Sequence, residues 1–164
     1  LRPEGPIFAA ILNCRPVRVM FKLYALRGIL LAAGAALLVA ACAVQSGPTL
    51  SAPDALERAR TGEISLIDIR TPREWRQTGI AEGAIPIDMT SKGFVQEILT
   101  AVDGDKDAPI AIICRTGNRT TYTQKALQDL GFTQVYNVKE GMAGSAAGPG
   151  WVQRGLPLDA CQTC

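Results

Sequence analysis

Residues 109–120 read PIAIICRTGNRT. The run Ile110, Ala111, Ile112, Ile113 contains no polar position, the pattern of a parallel strand covered on both faces. Such a strand needs a layer of helix on either side, and the flanking sequence supplies candidates. Residues 64–69, ISLIDI, form another strand-length apolar run, and Ile85 to Ile87 and TQVYNV further along read as two more. Between them the period changes from strand to helix. Ser51 is suited to cap a helix over residues 54–60, and Thr71 one running to about Gln77. Phe94, Val95, Ile98, Leu99 and Val102 recur at helical spacing. Residues 118–130 form a further helix, with Tyr122, Ala126, Leu127 and Leu130 as its apolar side and Gly131 as its stop. The expected fold class is α/β: a parallel β-sheet flanked by helices on both faces. Trp75 and Trp151 read as core anchors.

The first 42 residues have a different character. From Met20, Lys22 and Arg27 precede an apolar stretch that ends in small residues around Cys42, the three-part form of an export signal. The apolar core is shorter than the roughly 20 residues that a comfortable membrane span requires. Residues 1–19 read as a misassigned leader, 20–42 as the signal, 43–53 as a linker, 54–158 as the folded domain and 159–164 as a tail. The LVAAC ending resembles a bacterial lipobox, so Cys42 is a candidate for lipidation. The rival is cleavage after Ala43, since Ala41-Cys42-Ala43 also fits a signal-peptidase site. The expected location is the periplasm, with a lipid anchor to a bacterial membrane.

Charge follows the same division. Five of the 17 basic residues and one of the 15 acidic residues precede Ala43, which leaves 12 and 14 and a net charge of −2. The basicity of the whole chain therefore belongs to its leader, and no basic face points to nucleic acid. The sequence has no histidine. That excludes Ser-His-Asp and Cys-His catalysis and any zinc site that uses imidazole. Chemistry must fall to thiols, carboxylates, arginines and main-chain amides.

Cys114 is placed for such chemistry. It ends the apolar strand, where ligands of open α/β sheets bind. The turn after it contains Gly117, which permits conformations that other residues resist, and the next helix turns unpaired N–H groups toward the same point. Arg115 and Arg119 add positive charge. Helix N-termini and cations favour the thiolate, the nucleophilic form of cysteine. A plain buried cysteine would account for the strand but not for the two arginines. The spacing also bears on the anion. Cysteine phosphatases use Cys-x5-Arg, whereas here Arg119 follows after four residues and Thr120 occupies the next position. The smaller loop suits sulfur carried on cysteine better than a tetrahedral phosphate.

Four segments, in order, carry a family resemblance. CRTGNRT resembles the active-site loop of rhodanese-domain sulfurtransferases. LIDIRTPREW resembles their Asp-x-Arg strand and the helix after it. TGIAEGAIPIDM is similar to the next family segment, with Ile80 where many relatives have histidine. VYNVKEGMAGSAAGPGWVQRGLPL resembles the glycine-rich end of the domain. The resemblance implies a sulfurtransferase with Cys114 as the catalytic nucleophile. Arg115, Thr116, Gly117, Asn118 and Arg119 would hold substrate or persulfide, and no cofactor or metal would be needed. Its partners would be a thiosulfate-like donor and a thiol or cyanide acceptor; the oligomeric state is left open. Asp68, Arg70 and Glu74 are expected to support the loop, with Asp68 or Glu74 holding Arg119. A carrier or thiol-redox sensing module is the alternative, and a cysteine phosphatase a third. Cys161 and Cys164 form a Cys-x-x-Cys pair suited to a disulfide or redox role.

Overall fold

The computed structural model describes residues 47–161. The leader, the signal, Cys42 and Cys164 lie outside the described residues, as does the first part of the expected linker. Among the described residues no helix is long and apolar enough to cross a membrane.

Five strands form one parallel sheet: β1 (Thr49–Leu50), β2 (Ser65–Asp68), β4 (Ile85–Pro86), β5 (Ile110–Ile113) and β6 (Val135–Val138), in the order β1-β6-β5-β2-β4. Two short strands, β3 (Ile80–Ala81) and β7 (Leu158–Asp159), pair antiparallel beside it. The helices are α1 (Ala52–Arg60), α2 (Pro72–Thr78), α3 (Phe94–Ala101), α4 (Asn118–Asp129) and α5 (Gly150–Gln153). The alternation of side chains along β5 explains its uninterrupted apolar sequence. Ala111 and Ile113 enter a core with α1 residues Ala55 and Leu56 and with Trp151. Ile110 and Ile112 enter the opposite core with Phe94 and Ile98 of α3 and Leu127 of α4. Helices thus cover both faces. Burying each isoleucine contributes about 1.5–3 kcal/mol.

Local chemistry sets the helix starts. Ser51 Oγ accepts the Asp54 N–H at 3.2 Å. Thr71 and Glu74 form a reciprocal capping box at the start of α2, with Pro72 in the first turn. Both tryptophans are buried, and Trp151 Nε1 donates to the Pro157 carbonyl at 2.8 Å.

Three features depart from the sequence reading. Thr49–Leu50, within the expected linker, is a sheet strand that pairs with Asn137 and Val138. The ribbon of β3 with β7 was not anticipated, because two residues per strand leave almost no periodicity to read. On α4 the buried face consists of Thr120, Thr123, Gln124 and Leu127, while Tyr122 and Leu130 are exposed. Two side chains of that polar face, Thr120 and Gln124, donate to main-chain carbonyls. Gln124 Nε2 donates to Pro48 O at 2.8 Å and to Val135 O at 2.7 Å, which ties α4 to the chain around β1 and to β6. Hydrogen bonding to main chain outweighs apolarity here because buried carbonyls require partners.

β5 lies between β2 and β6, with the chain running outward from it to both sides. The crevice beyond its carboxyl end is where open sheets bind ligands. Beside it, at the end of β2, Asp68 and Arg70 form an almost fully buried ion pair, with Arg70 Nη2 to Asp68 Oδ2 at 2.6 Å. The guanidinium also donates to Thr78 Oγ1 and the Gly79 carbonyl, each at 2.7 Å. It thereby joins the end of β2 to the end of α2. Removing one partner of a buried pair strands the other charge. Asp68→Ala is expected to lower unfolding free energy by about 3–5 kcal/mol, read as a shift in the urea midpoint; a change below about 1 kcal/mol would count against the pair's structural role.

Candidate active site

Cys114 follows β5 directly and is fully buried in the core shared by α3 and α4. Its Sγ lies 3.6 Å from Thr120 Oγ1, and that hydroxyl also donates to the Gly117 carbonyl at 2.9 Å. Gly117 adopts φ +80° and ψ −11°, the left-handed conformation that lets residues 115–117 turn into α4 within so few residues. Residues 115–117 make no main-chain donor bond, and residues 118–120 are the first turn of α4, whose N–H groups have no carbonyl within the helix. Six successive amides next to the sulfur therefore have no acceptor among the described residues and are available to an anion.

A second segment fixes this loop from outside. Met142 N–H donates to the Cys114 carbonyl at 2.9 Å, and Ala143 N–H to the Arg115 carbonyl at 2.8 Å. The two glycines at the contact permit close approach. A Cβ on Gly117 would stand 2.1 Å from the Lys139 carbonyl oxygen, and one on Gly141 would stand 2.6 Å from the Arg115 carbonyl oxygen. These buttress residues were missed at the level of sequence, where the only signal was the density of glycine from Gly141 to Gly150.

The two arginines diverge. Arg119 is clamped by Glu74, with Nη1 to Oε2 at 2.8 Å and Nη2 to Oε1 at 2.5 Å. Glu74 Oε2 also accepts the Thr71 N–H at 3.1 Å, so one carboxylate caps α2 and anchors the loop helix. Of the two acids considered for Arg119, Glu74 holds it, while Asp68 is engaged with Arg70. The Arg119 hydrogen bond, opposed by partial burial and helped by Thr71, lowers the Glu74 pKa to about 2. Arg119 is held more firmly protonated, first by Glu74 and further by the nearby Cys114 sulfur. Arg115 is exposed and lines a cleft of about 340 Å³ together with Arg70, Glu74, Gln77, Thr78, Met142 and Gln153. Thr116 is half-buried, and Asn118 is exposed.

Cys161 takes part in a disulfide and Cys114 is a free thiol, so the partner of Cys161 lies outside the described residues. Among the described residues, no group of three or more Cys, Asp or Glu is placed to hold a metal ion.

The site is a buried cysteine at the carboxyl end of a central parallel strand of an α/β domain, followed by a glycine-turned loop whose amides have no acceptor among the described residues. Residues 51–147 match the sequence signature of the rhodanese-like domain, and the chain belongs to that family. Curated relatives include an uncharacterised protein of Rickettsia prowazekii, 30% identical over 98 residues that make up 56% of this chain and 80% of that one. A sulfurtransferase of Allochromatium vinosum is 31% identical, over 62% of this chain and 84% of its own. Among solved structures, the polysulfide-sulfur transferase homodimer of Wolinella succinogenes is 28% identical with a TM-score of 0.53, covering 71% of this chain and 81% of its own. Membership and these relatives support sulfur transfer as the general chemistry, with a sulfur donor and a sulfur acceptor as partners.

Two outcomes are expected from the loop geometry. Gly117→Ala and Gly141→Ala should each slow sulfur loading of Cys114 by about tenfold or more, because misplacing the reacting group is costly; circular dichroism would verify that the fold is retained. The second concerns pH. The folded pKa of Glu74 lies below its reference value of 4.5, so its contribution to stability is complete above that value and disappears as pH falls toward about 2. Thermal melts of Glu74→Gln should therefore lack this increment of acid destabilisation, and parallel wild-type and variant profiles would refute it.

Proposed function

We propose that this chain is an exported sulfurtransferase that moves sulfane sulfur from a thiosulfate-like donor, through a Cys114 persulfide, to cyanide or a thiol. The observation that carries this reading is the row of six amides without an acceptor among the described residues, following a fully buried thiol and backed by the Gly141 segment. Such an array stabilises negative charge without reorganising. The sulfurtransferase and polysulfide-sulfur transferase relatives support the same chemistry. Export to the periplasm and a lipid on Cys42 are proposed from the leader sequence alone, and intact-mass analysis of protein taken from membranes tests both.

In the first half-reaction the Cys114 thiolate attacks the outer sulfur of thiosulfate. The donor S–S bond breaks, sulfite leaves with its electron pair, and a persulfide anion remains on Cys114. In the second, cyanide attacks the terminal sulfur and departs as thiocyanate, which returns the thiolate. Arg115 in the cleft wall suits an incoming oxyanion, while Arg119, already bound to Glu74, serves to position the loop. Burial of the sulfur favours small reactants. Thr120 stands where a phosphatase loop would need arginine, and its hydroxyl is used within the loop.

The test is thiocyanate formation from thiosulfate and cyanide, with intact mass of the loaded protein. Wild type should gain about 32 Da, the mass of one persulfide sulfur, and turn over. Cys114→Ser should do neither. A stable persulfide without thiocyanate production would assign the chain to sulfur carriage instead of turnover. Phosphatase activity abolished in Cys114→Ser would overturn the sulfur reading.

A further inference from the structure

We infer that Thr120 is a catalytic residue of this site: its hydroxyl donates to the Cys114 sulfur whenever that sulfur is a thiolate, and turns back to the Gly117 carbonyl when it is not. The inference rests on the sulfur-transfer reading above and deepens it, because it assigns a group that stabilises both the attacking and the departing sulfur. Thr120 is fully buried, and its Oγ1 stands between two acceptors, Cys114 Sγ at 3.6 Å and the Gly117 carbonyl oxygen at 2.9 Å. A hydroxyl has a single proton, so it serves one of them at a time.

The Gly117 carbonyl does not depend on that proton. Besides Thr120, it accepts Thr121 Oγ1 at 2.9 Å and the Thr121 N–H at 3.2 Å. A carbonyl oxygen offers two lone pairs, so one of these three donors is surplus. The Thr121 hydroxyl is not the spare one. Asn137, itself buried, donates through Nδ2 into the Thr121 oxygen at 3.1 Å, which leaves the Thr121 proton aimed at Gly117. Thr120 is the donor with a second acceptor, and that acceptor is the reacting sulfur. Arg119 also interacts with the sulfur, while its guanidinium is bound through both terminal nitrogens to Glu74.

The direction of this hydrogen-bond chain follows the state of the sulfur. In the thiol, Cys114 S–H donates to Thr120 Oγ1, which donates to Gly117. When the thiol proton leaves for solvent, the hydroxyl rotates about its Cβ–Oγ1 bond and donates to the thiolate; no covalent bond of the threonine changes. After attack on the donor, the negative charge sits on the outer sulfur of the persulfide, and the hydroxyl returns to Gly117. When an acceptor takes the outer sulfur, the electron pair of the S–S bond returns to Cys114 and the hydroxyl donates to it again. Exchange at sulfur runs faster when the departing thiolate is better stabilised, so discharge of the persulfide gains most.

The experiment compares Thr120→Val, Thr120→Ser and Thr121→Val in the full chain. Each protein is loaded with thiosulfate, freed of donor and discharged with cyanide in a single turnover. The Cys114 thiolate is followed separately by ultraviolet absorbance against pH, with Cys114→Ser as the blank. Thr120→Val, which keeps the shape of the side chain, should discharge at least about tenfold more slowly than wild type and develop its thiolate signal at higher pH. Thr120→Ser should restore both. Thr121→Val should slow discharge by an intermediate amount, about threefold, because the Gly117 carbonyl then retains the Thr120 proton. A Thr120→Val protein that folds by circular dichroism yet matches wild type in both readouts would overturn the proposal. If that variant does not fold, a Thr121→Val protein that matches wild type would overturn it instead. A wild type that never acquires a persulfide would overturn the sulfur-transfer reading, while the thiolate titration would still decide whether Thr120 serves the sulfur.

Discussion

Two main-chain hydrogen bonds, from Met142 to the Cys114 carbonyl and from Ala143 to the Arg115 carbonyl, bind the loop after β5 to the segment after β6. They use the loop's carbonyls and leave its amides free. A chain that turns from strand to helix beneath solvent would ordinarily satisfy its donors locally or with water. Here Gly117 packs against the Lys139 carbonyl and Gly141 against the Arg115 carbonyl, which fixes the path of the loop. The free amides of residues 118–120 follow from the start of α4, while tertiary contact with the Gly141 segment fixes the turn that precedes them.

Electrostatic support is divided between two ion pairs with different tasks. Asp68 and Arg70 are buried and join β2 to the end of α2, where Thr78 lines the cleft. Glu74 and Arg119 are partly exposed and join the start of α2 to the start of α4. α2 is therefore held at each end by an arginine, Arg70 just beyond β2 and Arg119 in the first turn of α4. Among the described residues Arg115 has no such ion pair, and it lines the cleft. This division explains how two arginines four residues apart can serve different ends.

Sulfur transfer needs a nucleophile that is protected yet reachable by small anions. Burial of Cys114 beneath its own loop provides the protection. Arg115, the next residue in the chain, lines a cleft together with Arg70 and Met142. Cys114 and Arg115 thus stand at the carboxyl end of a central strand, where open parallel sheets bind ligands.

The sequence by itself determined the α/β class, the strand that ends in Cys114, and the caps at Ser51 and Thr71. Each of these is local: an apolar run, a helical period, or a side chain that reaches a few residues along the chain. It did not reveal β1, the ribbon of β3 with β7, or the polar inner face of α4, because their hydrogen-bond partners are distant in sequence and leave no periodic trace. The choice of Glu74 over Asp68 as partner of Arg119 was likewise decided in three dimensions, where Arg70 already occupies Asp68. So was the role of Gly141, whose missing side chain matters only because the Arg115 carbonyl packs against it.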